Sequence, residues 1–399
     1  MPVTPRVDPP TFRRGSLTPG LVHDARGFAL PLSEALAAGT AAAGRAPAAA
    51  RPAAAGSVLV TGGAGFLGRH VVAGLVRSGR QVFVASRDPG PGGDGVRPLA
   101  VDLSAPGADR TLAAGLAGAG VSEVYHLAAR VHAFAGRRVL WGANVDGTVA
   151  VARAARALGA RLQLASTLSV FVSSDGTGEG DEAPLSRGTG ATLYGGYAQT
   201  KAASEAAALA VVPDAQVLRY GLLVPRDGRD LASDHFLRAF VEGLVVVGCV
   251  PERFEEAMVD LTPVDRAAEA ALAVGADGTP GTFHFANPVP ATLSGVVDAV
   301  GRALAGAGRP ALDVVPVGTW RARASRLGGL AAALQESAFD KPGFLAGTAR
   351  RGPFLNADLF QSTGRRFGIA RSVAAGAAGP DHPHAQVDRL VIPIARESR

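Results

Sequence analysis

Residues 57–79 read SVLVTGGAGFLGRHVVAGLVRSG, a β-branched run that breaks into glycine and resumes as an amphipathic segment. Val58, Val60 and Thr61 favour an extended strand. Phe66, Leu67, Val71, Val72, Leu75 and Val76 then recur at helical spacing, so a strand, a tight turn and a helix follow one another within a single unit. Gly62, Gly65 and Gly68 stand three residues apart in the turn. In such a turn the first glycine allows the sharp bend, the second lets the backbone approach a pyrophosphate, and the third lets the helix pack closely on the strand. The amides and dipole at the helix start, at Phe66 and Leu67, then favour phosphate.

The pattern repeats outward from this unit. QVFVAS (81–86), RPLAVDL (97–103), EVYHLAA (123–129) and RLQLAST (161–167) read as strands, with TLAAGLAGA (111–119) and VLWGANVDGTVAVARAARALG (139–159) as helices between them. Strands separated by helices of this length pair in parallel through right-handed crossovers, which predicts an α/β doubly wound Rossmann sheet. The division expected is an Ala/Pro-rich arm or linker over 1–56, a dinucleotide-binding domain over 57–220, and a smaller substrate-binding lobe with a C-terminal tail over 221–399. Inside the arm, LSEALAAG (32–39) has the character of a short helix able to dock on the body.

Composition excludes several classes. A net charge of +6 invites a nucleic-acid reading, but the arginines are scattered, with no basic block interleaved with aromatics, so no nucleic-acid partner is expected. Cys249 is the only cysteine, which rules out a disulfide within the chain. No apolar run approaches the roughly 20 unbroken residues of a membrane helix, and no secretory pattern opens the sequence, so a cytoplasmic location is expected. His382 and His384 flank a proline without further ligand-type neighbours, and no metal is assigned to them.

Around the sheet edge, further residues point to a dinucleotide. After the second strand stands Arg87, whose guanidinium suits a 2′-phosphate and favours NADPH; the neighbouring Asp88 is the alternative, suited to a ribose diol. Asp102 and Leu103 follow the third strand, where the carboxylate either meets the adenine amino group or caps the next helix. Leu127, Ala128 and Ala129 end the fourth strand with side chains small enough for a cofactor to cross. Asn144 is expected to hold a water or a backbone carbonyl near the catalytic lysine.

Tyr197 and Lys201 carry the chemistry. Four residues apart on a helix, they share one face. A phenol of pKa near 10 is a poor acid at neutral pH until a cation beside it lowers that value. The chain has two lysines, Lys201 and Lys341, and four tyrosines, so a chance Tyr-to-Lys spacing of four arises in only about 2% of shuffles. Ser166 and Thr167 close the fifth strand, where one hydroxyl would meet a substrate carbonyl; Thr167 is preferred by position, with Ser166 as the alternative. Tyr194, at the wrong spacing, is assigned to the substrate pocket.

Taken together, these residues resemble the extended short-chain dehydrogenases over about 57–300. More narrowly, VLVTGGAGFLGRHVV, YHLAARV, NVDGTVAVARAA, STLSV, GGYAQTKAASE, FLRAFVEGLVVVGCVPE, VDLTPVDRAAEA and TFHFANPVPATLSGVVDAV look like thioester reductase domains of nonribosomal peptide and polyketide synthetases and of carboxylic acid reductases. The sequence departs from that pattern at Arg219-Tyr220-Gly221, where the family usually has Arg-Pro-Gly, and in lacking a tryptophan on the helix after Lys201. The resemblance implies that Tyr220 and Gly221 border the nicotinamide. It also implies hydride transfer from NADPH to an acyl thioester, on coenzyme A or on a phosphopantetheinyl carrier protein supplied in trans, giving an aldehyde or alcohol. Ketone or hydroxysteroid-type reduction, nucleotide-sugar epimerisation or dehydration, and a catalytically silent NADPH sensor are the competing expectations.

Overall fold

A computed structural model describes residues 29–46, 56–132, 135–172, 180–186, 191–232, 235–254, 256–287, 289–339, 361–362 and 383–398. Strands β1 (Ser57–Thr61), β2 (Val82–Ser86), β3 (Val96–Ala100), β4 (Val121–His126), β5 (Arg161–Thr167), β6 (Gln216–Tyr220) and β7 (Gly281–Phe285) form one sheet. Their spatial order is β3-β2-β1-β4-β5-β6-β7, and every pairing is parallel. The strand order reverses between β1 and β4. Helices leave these two strands for opposite faces there, opening a crevice at the carboxyl edge.

Side-chain alternation along the strands builds two cores. Leu59, Val124, Leu162 and Leu164 face helices α3 (Ala108–Gly115), α4 (Gly147–Leu158) and α5 (Gly196–Val211). Val58, Val60, Val84, Leu218 and Phe285 face α2 (Gly68–Arg77) and α7 (Val264–Asp277). A third core lies outside the sheet, formed by α6 (Phe236–Val247), α8 (Leu293–Gly306), α9 (Gly329–Phe339) and α10 (Pro383–Glu397) around Phe240, Leu293, Trp320, Phe339 and Leu390. This third core is the second lobe.

Two features differ from the expectations above, and a third, the short helix expected to dock on the body, is present as expected. The chain does not leave the sheet for good at residue 220: α7 packs against α2 and β7 adds a seventh strand beside β6. Bare, β6 would expose an unpaired edge at the centre of the site, and the buried run GTFHF covers it. The helix expected over 139–159 is interrupted by a π turn at Gly142–Asp146, set between the short helix Arg137–Trp141 and α4. Finally, Ala29–Pro31 pairs antiparallel with Thr192–Tyr194, and α1 (Leu32–Ala43) lies along α5. Gly39 makes that contact possible, because a Cβ there would run into the Ala203 backbone. Arg153 on α4 closes the end of α1 by donating to Ala43 O at 2.8 Å.

Candidate active site

The glycine turn is built as the spacing requires. Gly62 has φ +71°, a region open to glycine, and a Cβ on it would collide with the Ala128 backbone at the end of β4. On Gly68 a Cβ would strike the Gly62 carbonyl, so α2 can start this close to β1 only with glycine there. Gly65 N donates to Gly62 O at 2.9 Å, which closes the turn. Leu67 is buried beneath it, while Phe66 is partly exposed with the Arg69 guanidinium 5.1 Å from its ring centre.

At the end of β2, Arg87 and Asp88 are both exposed, and Ser86 Oγ is buried with no hydrogen-bond partner among the described residues. An orphaned hydroxyl beside a glycine cradle fits a nucleoside ribose at this edge. Asp102 is exposed, with Oδ1 accepting from Ser104 N and Ser104 Oγ at 2.9 and 2.6 Å. These bonds, with Arg87 nearby, hold its carboxyl below the usual range. It does not cap α3, which starts at Ala108 behind Gly107. Leu103 packs at the margin of the α3–α4–α5 core.

Beyond β4, the loop of Leu127, Ala128 and Ala129 runs on into Arg130, and Asn144 holds it. The Asn144 side chain accepts from Arg130 N at 2.7 Å and donates to Arg130 O and Thr200 Oγ1, each at 3.1 Å. The π turn displaces Asn144 from a regular helix to make this clamp. Its carbonyl accepts from Thr148 and Ser204.

Tyr197 stands on the first turn of α5, partly exposed, and Lys201 lies one turn on, 3% exposed. Lys201 Nζ donates to Ala165 O on β5 at 2.7 Å, drawing α5 onto the strand that ends in Thr167. Burial lowers the ammonium pKa to about 8, against a raising influence from Glu205. Adjacent strand residues point to opposite faces, and the structure separates the two hydroxyl candidates accordingly. Ser166 Oγ donates to Glu205 at 2.5 Å, whereas Thr167 Oγ1 meets Ser169 Oγ at 2.9 Å and accepts from Ser169 N at 3.1 Å. Ser166 is thereby tied into the core beneath the site.

Glu205 and Arg219 are the main residues that sequence reasoning passed over. They form a fully buried bidentate pair, with bonds of 2.9 and 2.7 Å. Arg219 also reaches His284 Nε2 at 3.1 Å and Asp181 O at 3.3 Å, and sits 4.9 Å from the Phe171 ring centre. One guanidinium thus joins α5, β6, β7 and the segment after β5. The Tyr220 ring, where the family pattern has proline, is buried and stacked on Phe285 at 5.2 Å. Gly221 presses on the Asp260 carboxylate, leaving no room for a side chain. Lys341 and His382 lie outside the described residues, as do the side chains of Tyr194 and His384. Among the described residues there is no cluster of metal-ligating side chains, and no helix is long and apolar enough to cross a membrane.

A family model described as the NAD dependent epimerase/dehydratase family matches residues 58–245. The 2-alkyl-3-oxoalkanoate reductase of Stenotrophomonas maltophilia (strain K279a) is 34% identical over 272 residues, covering 64% of this chain and 77% of the relative. The chain belongs to this family, the extended short-chain dehydrogenases. It is an oxidoreductase of that family, which implies a nicotinamide cofactor. Among solved structures, the terminal R domain from the myxalamid PKS-NRPS biosynthetic pathway superposes with a TM-score of 0.68 at 20% identity, over 89% of this chain and 96% of that one. The reductase (R) domain of a nonribosomal peptide synthetase from Mycobacterium tuberculosis gives 0.62 at 21% identity, over 92% and 98%. These likenesses extend through the second lobe and describe the fold.

Proposed function

We propose that this extended short-chain dehydrogenase is an NADPH-dependent reductase of acyl thioesters. The observation that carries the reading is the bond from Lys201 Nζ to Ala165 O, which holds the helix bearing Tyr197 and Lys201 against the strand that ends in Thr167, together with a second lobe shaped like that of the reductase domains. Gly62, Gly65 and Gly68 would hold the pyrophosphate, Arg87 the 2′-phosphate, and Lys201 the nicotinamide ribose. NADPH, when bound, supplies the hydride.

The residues of the chain do the rest. Thr167 donates a hydrogen bond to the thioester carbonyl oxygen, and Tyr197 transfers its proton there as the carbon is reduced. The Lys201 charge stabilises the phenolate left on Tyr197. The resulting hemithioacetal loses its hydroxyl proton and expels the thiolate, giving an aldehyde and, after protonation, a free thiol. Reduction of that aldehyde would consume a second NADPH. The acyl group arrives on coenzyme A or on a carrier protein.

The Stenotrophomonas relative supports a second reading, reduction of a ketone in a 3-oxoacyl compound by the same residues. One experiment separates the two. Mixing the protein with NADPH and a panel of acyl-coenzyme A, acyl-carrier and 3-oxoacid substrates, NADPH loss and thiol release are followed together. Thioester reduction releases one thiol for each aldehyde formed, whereas ketone reduction oxidises NADPH with no thiol. NADPH loss that is unaffected by Tyr197→Phe would overturn both.

A further inference from the structure

Thr61 ends β1 just before the glycine turn, and His126 ends β4 beside it. Behind them, Asn144 lies on the π turn, Thr148 on α4 and Ser204 on α5. All five are at most 1% exposed. Their polar atoms form one unbroken chain: Ala128 N to Thr61 Oγ1 at 3.3 Å, Thr61 Oγ1 to His126 Nδ1 at 2.7 Å, His126 Nε2 to Thr148 Oγ1 at 3.0 Å, Thr148 Oγ1 to Asn144 O at 2.5 Å, and Ser204 Oγ to Asn144 O at 2.8 Å.

The direction of each bond follows from what each group can do. Asn144 O is a carbonyl and only accepts, so the single hydroxyl proton of Thr148 goes to it. Toward His126, Thr148 is therefore an acceptor, and the proton between them sits on Nε2. Burial lowers the His126 pKa to about 3, helped by the Lys201 charge, so the ring is neutral and carries one N–H. Nδ1 is then a bare acceptor, which takes the Thr61 hydroxyl proton. Thr61 Oγ1 in turn accepts from the Ala128 amide. One orientation satisfies Thr61, His126 and Thr148, and the opposite tautomer would set Nε2 and Thr148 Oγ1 lone pair to lone pair; the Ser204 proton is shared between Asn144 O and Thr200 O, at 2.8 and 2.7 Å.

We infer that His126, fixed as its Nε2–H tautomer, is a positioning residue that couples the glycine turn and Ala128 to the helix bearing Tyr197 and Lys201. The inference rests on the functional reading above, in which the first group holds the cofactor and the second the proton donor. Hydride and proton must reach the same carbonyl, and a misplacement of about 1 Å costs on the order of 100-fold in rate. A flat, rigid ring bonded at both ends sets that spacing. A longer, flexible side chain would let the halves drift.

Selective ¹⁵N-histidine NMR of the full chain tests the tautomer directly. The chain has eight histidines, and the His126 signals are those that vanish in His126→Asn. A protonated Nε2 and bare Nδ1, unchanged between about pH 6 and 9, is the expected result. An Nδ1–H tautomer, or titration within that range, overturns the proposal.

Two half-conservative variants test the coupling. His126→Asn keeps an acceptor for Thr61 but no bond to Thr148, and is expected to lower kcat about tenfold while the NADPH Kd stays within about twofold. His126→Gln keeps a donor for Thr148 but loses the Thr61 side, and is expected to weaken NADPH binding about tenfold and to lower kcat as well, because the ring no longer ties the two halves together. Equal losses of both quantities in both variants would mean mere packing and overturn the coupling. If the wild-type chain reduced none of the substrates, the functional reading would fail on its own, because the tautomer and the NADPH Kd still decide this proposal.

Discussion

At the scale of single residues, the site depends on a buried ammonium. Lys201 is charged below about pH 8 and loses its proton as pH rises through that value. Removing the charge withdraws support from the Tyr197 phenolate, so kcat/KM for NADPH, which reports the free enzyme, should fall on an alkaline limb near pH 8. Glu205 acts to raise the Lys201 pKa, and Glu205→Gln should move that limb to lower pH. Stability runs the other way. From about pH 8 to about 10.4 the unfolded chain keeps a lysine proton that the folded chain has lost, so this group's contribution to stability rises with pH there. Activity that falls in step with unfolding would contradict the assignment. On the proposed reading Arg87 holds the 2′-phosphate, so Arg87→Ala should raise the KM for NADPH by about 10- to 100-fold, the loss of a charge-assisted contact, and leave that for NADH nearly unchanged. Equal effects on both cofactors would point to Asp88 and a ribose diol instead.

At the scale of elements, α1 is the part whose role most exceeds its sequence. Leu30, Leu32 and Leu36 pack with Val170, Leu193 and Ala202, and the strand Ala29–Pro31 braces Thr192–Tyr194, the segment that leads into Tyr197. Gly39→Val forces α1 off α5 and should cost about 1–3 kcal/mol in denaturant unfolding. The same variant should lower kcat more than it weakens NADPH binding, because the brace touches the catalytic helix and not the glycine turn. Much of the layout was legible because the early strands are short, largely apolar runs bounded by turn or helix signals, and Gly62, Gly65 and Gly68 sit where the first such run ends. The helical character of LSEALAAG was legible too, but its seat was not: the Gly39–Ala203 contact joins segments far apart in sequence. β7 was missed because a short apolar run such as GTFHF has no period to distinguish it. Glu205 was passed over because SEAAALA reads simply as a good helix, and its partner Arg219 is brought to it only across the sheet. Asn144 was marked by position, yet the π turn that aims it at Arg130 has no local sequence signal.

At the scale of the molecule, the sheet and the second lobe have separate cores, joined where β6 and β7 emerge beneath the site. The link is polar and buried. Asn287 N donates to Asp260 at 2.9 Å, the Asn287 side chain donates to Leu261 O and to Gln386 on α10, and Gln386 itself donates to Leu261 O at 2.6 Å. Asp260 lies against Gly221 at the end of β6, so α10 is three contacts from the cofactor edge. Leu390 anchors α10, fully buried among Val387, Val391 and Ile394, with its backbone against Gly228. In Leu390→Asp a carboxylate would be buried there without a partner, which the lobe can relieve only by releasing the helix. The glycine turn, Arg87 and Lys201 do not touch that core. The expected outcome is a Kd for NADPH, measured by fluorescence titration, within about threefold of wild type, with reduction of every substrate lowered at least about 100-fold. A variant that lost both together would show that the two cores fold as one unit, and a variant that kept full turnover would remove α10 from the substrate site.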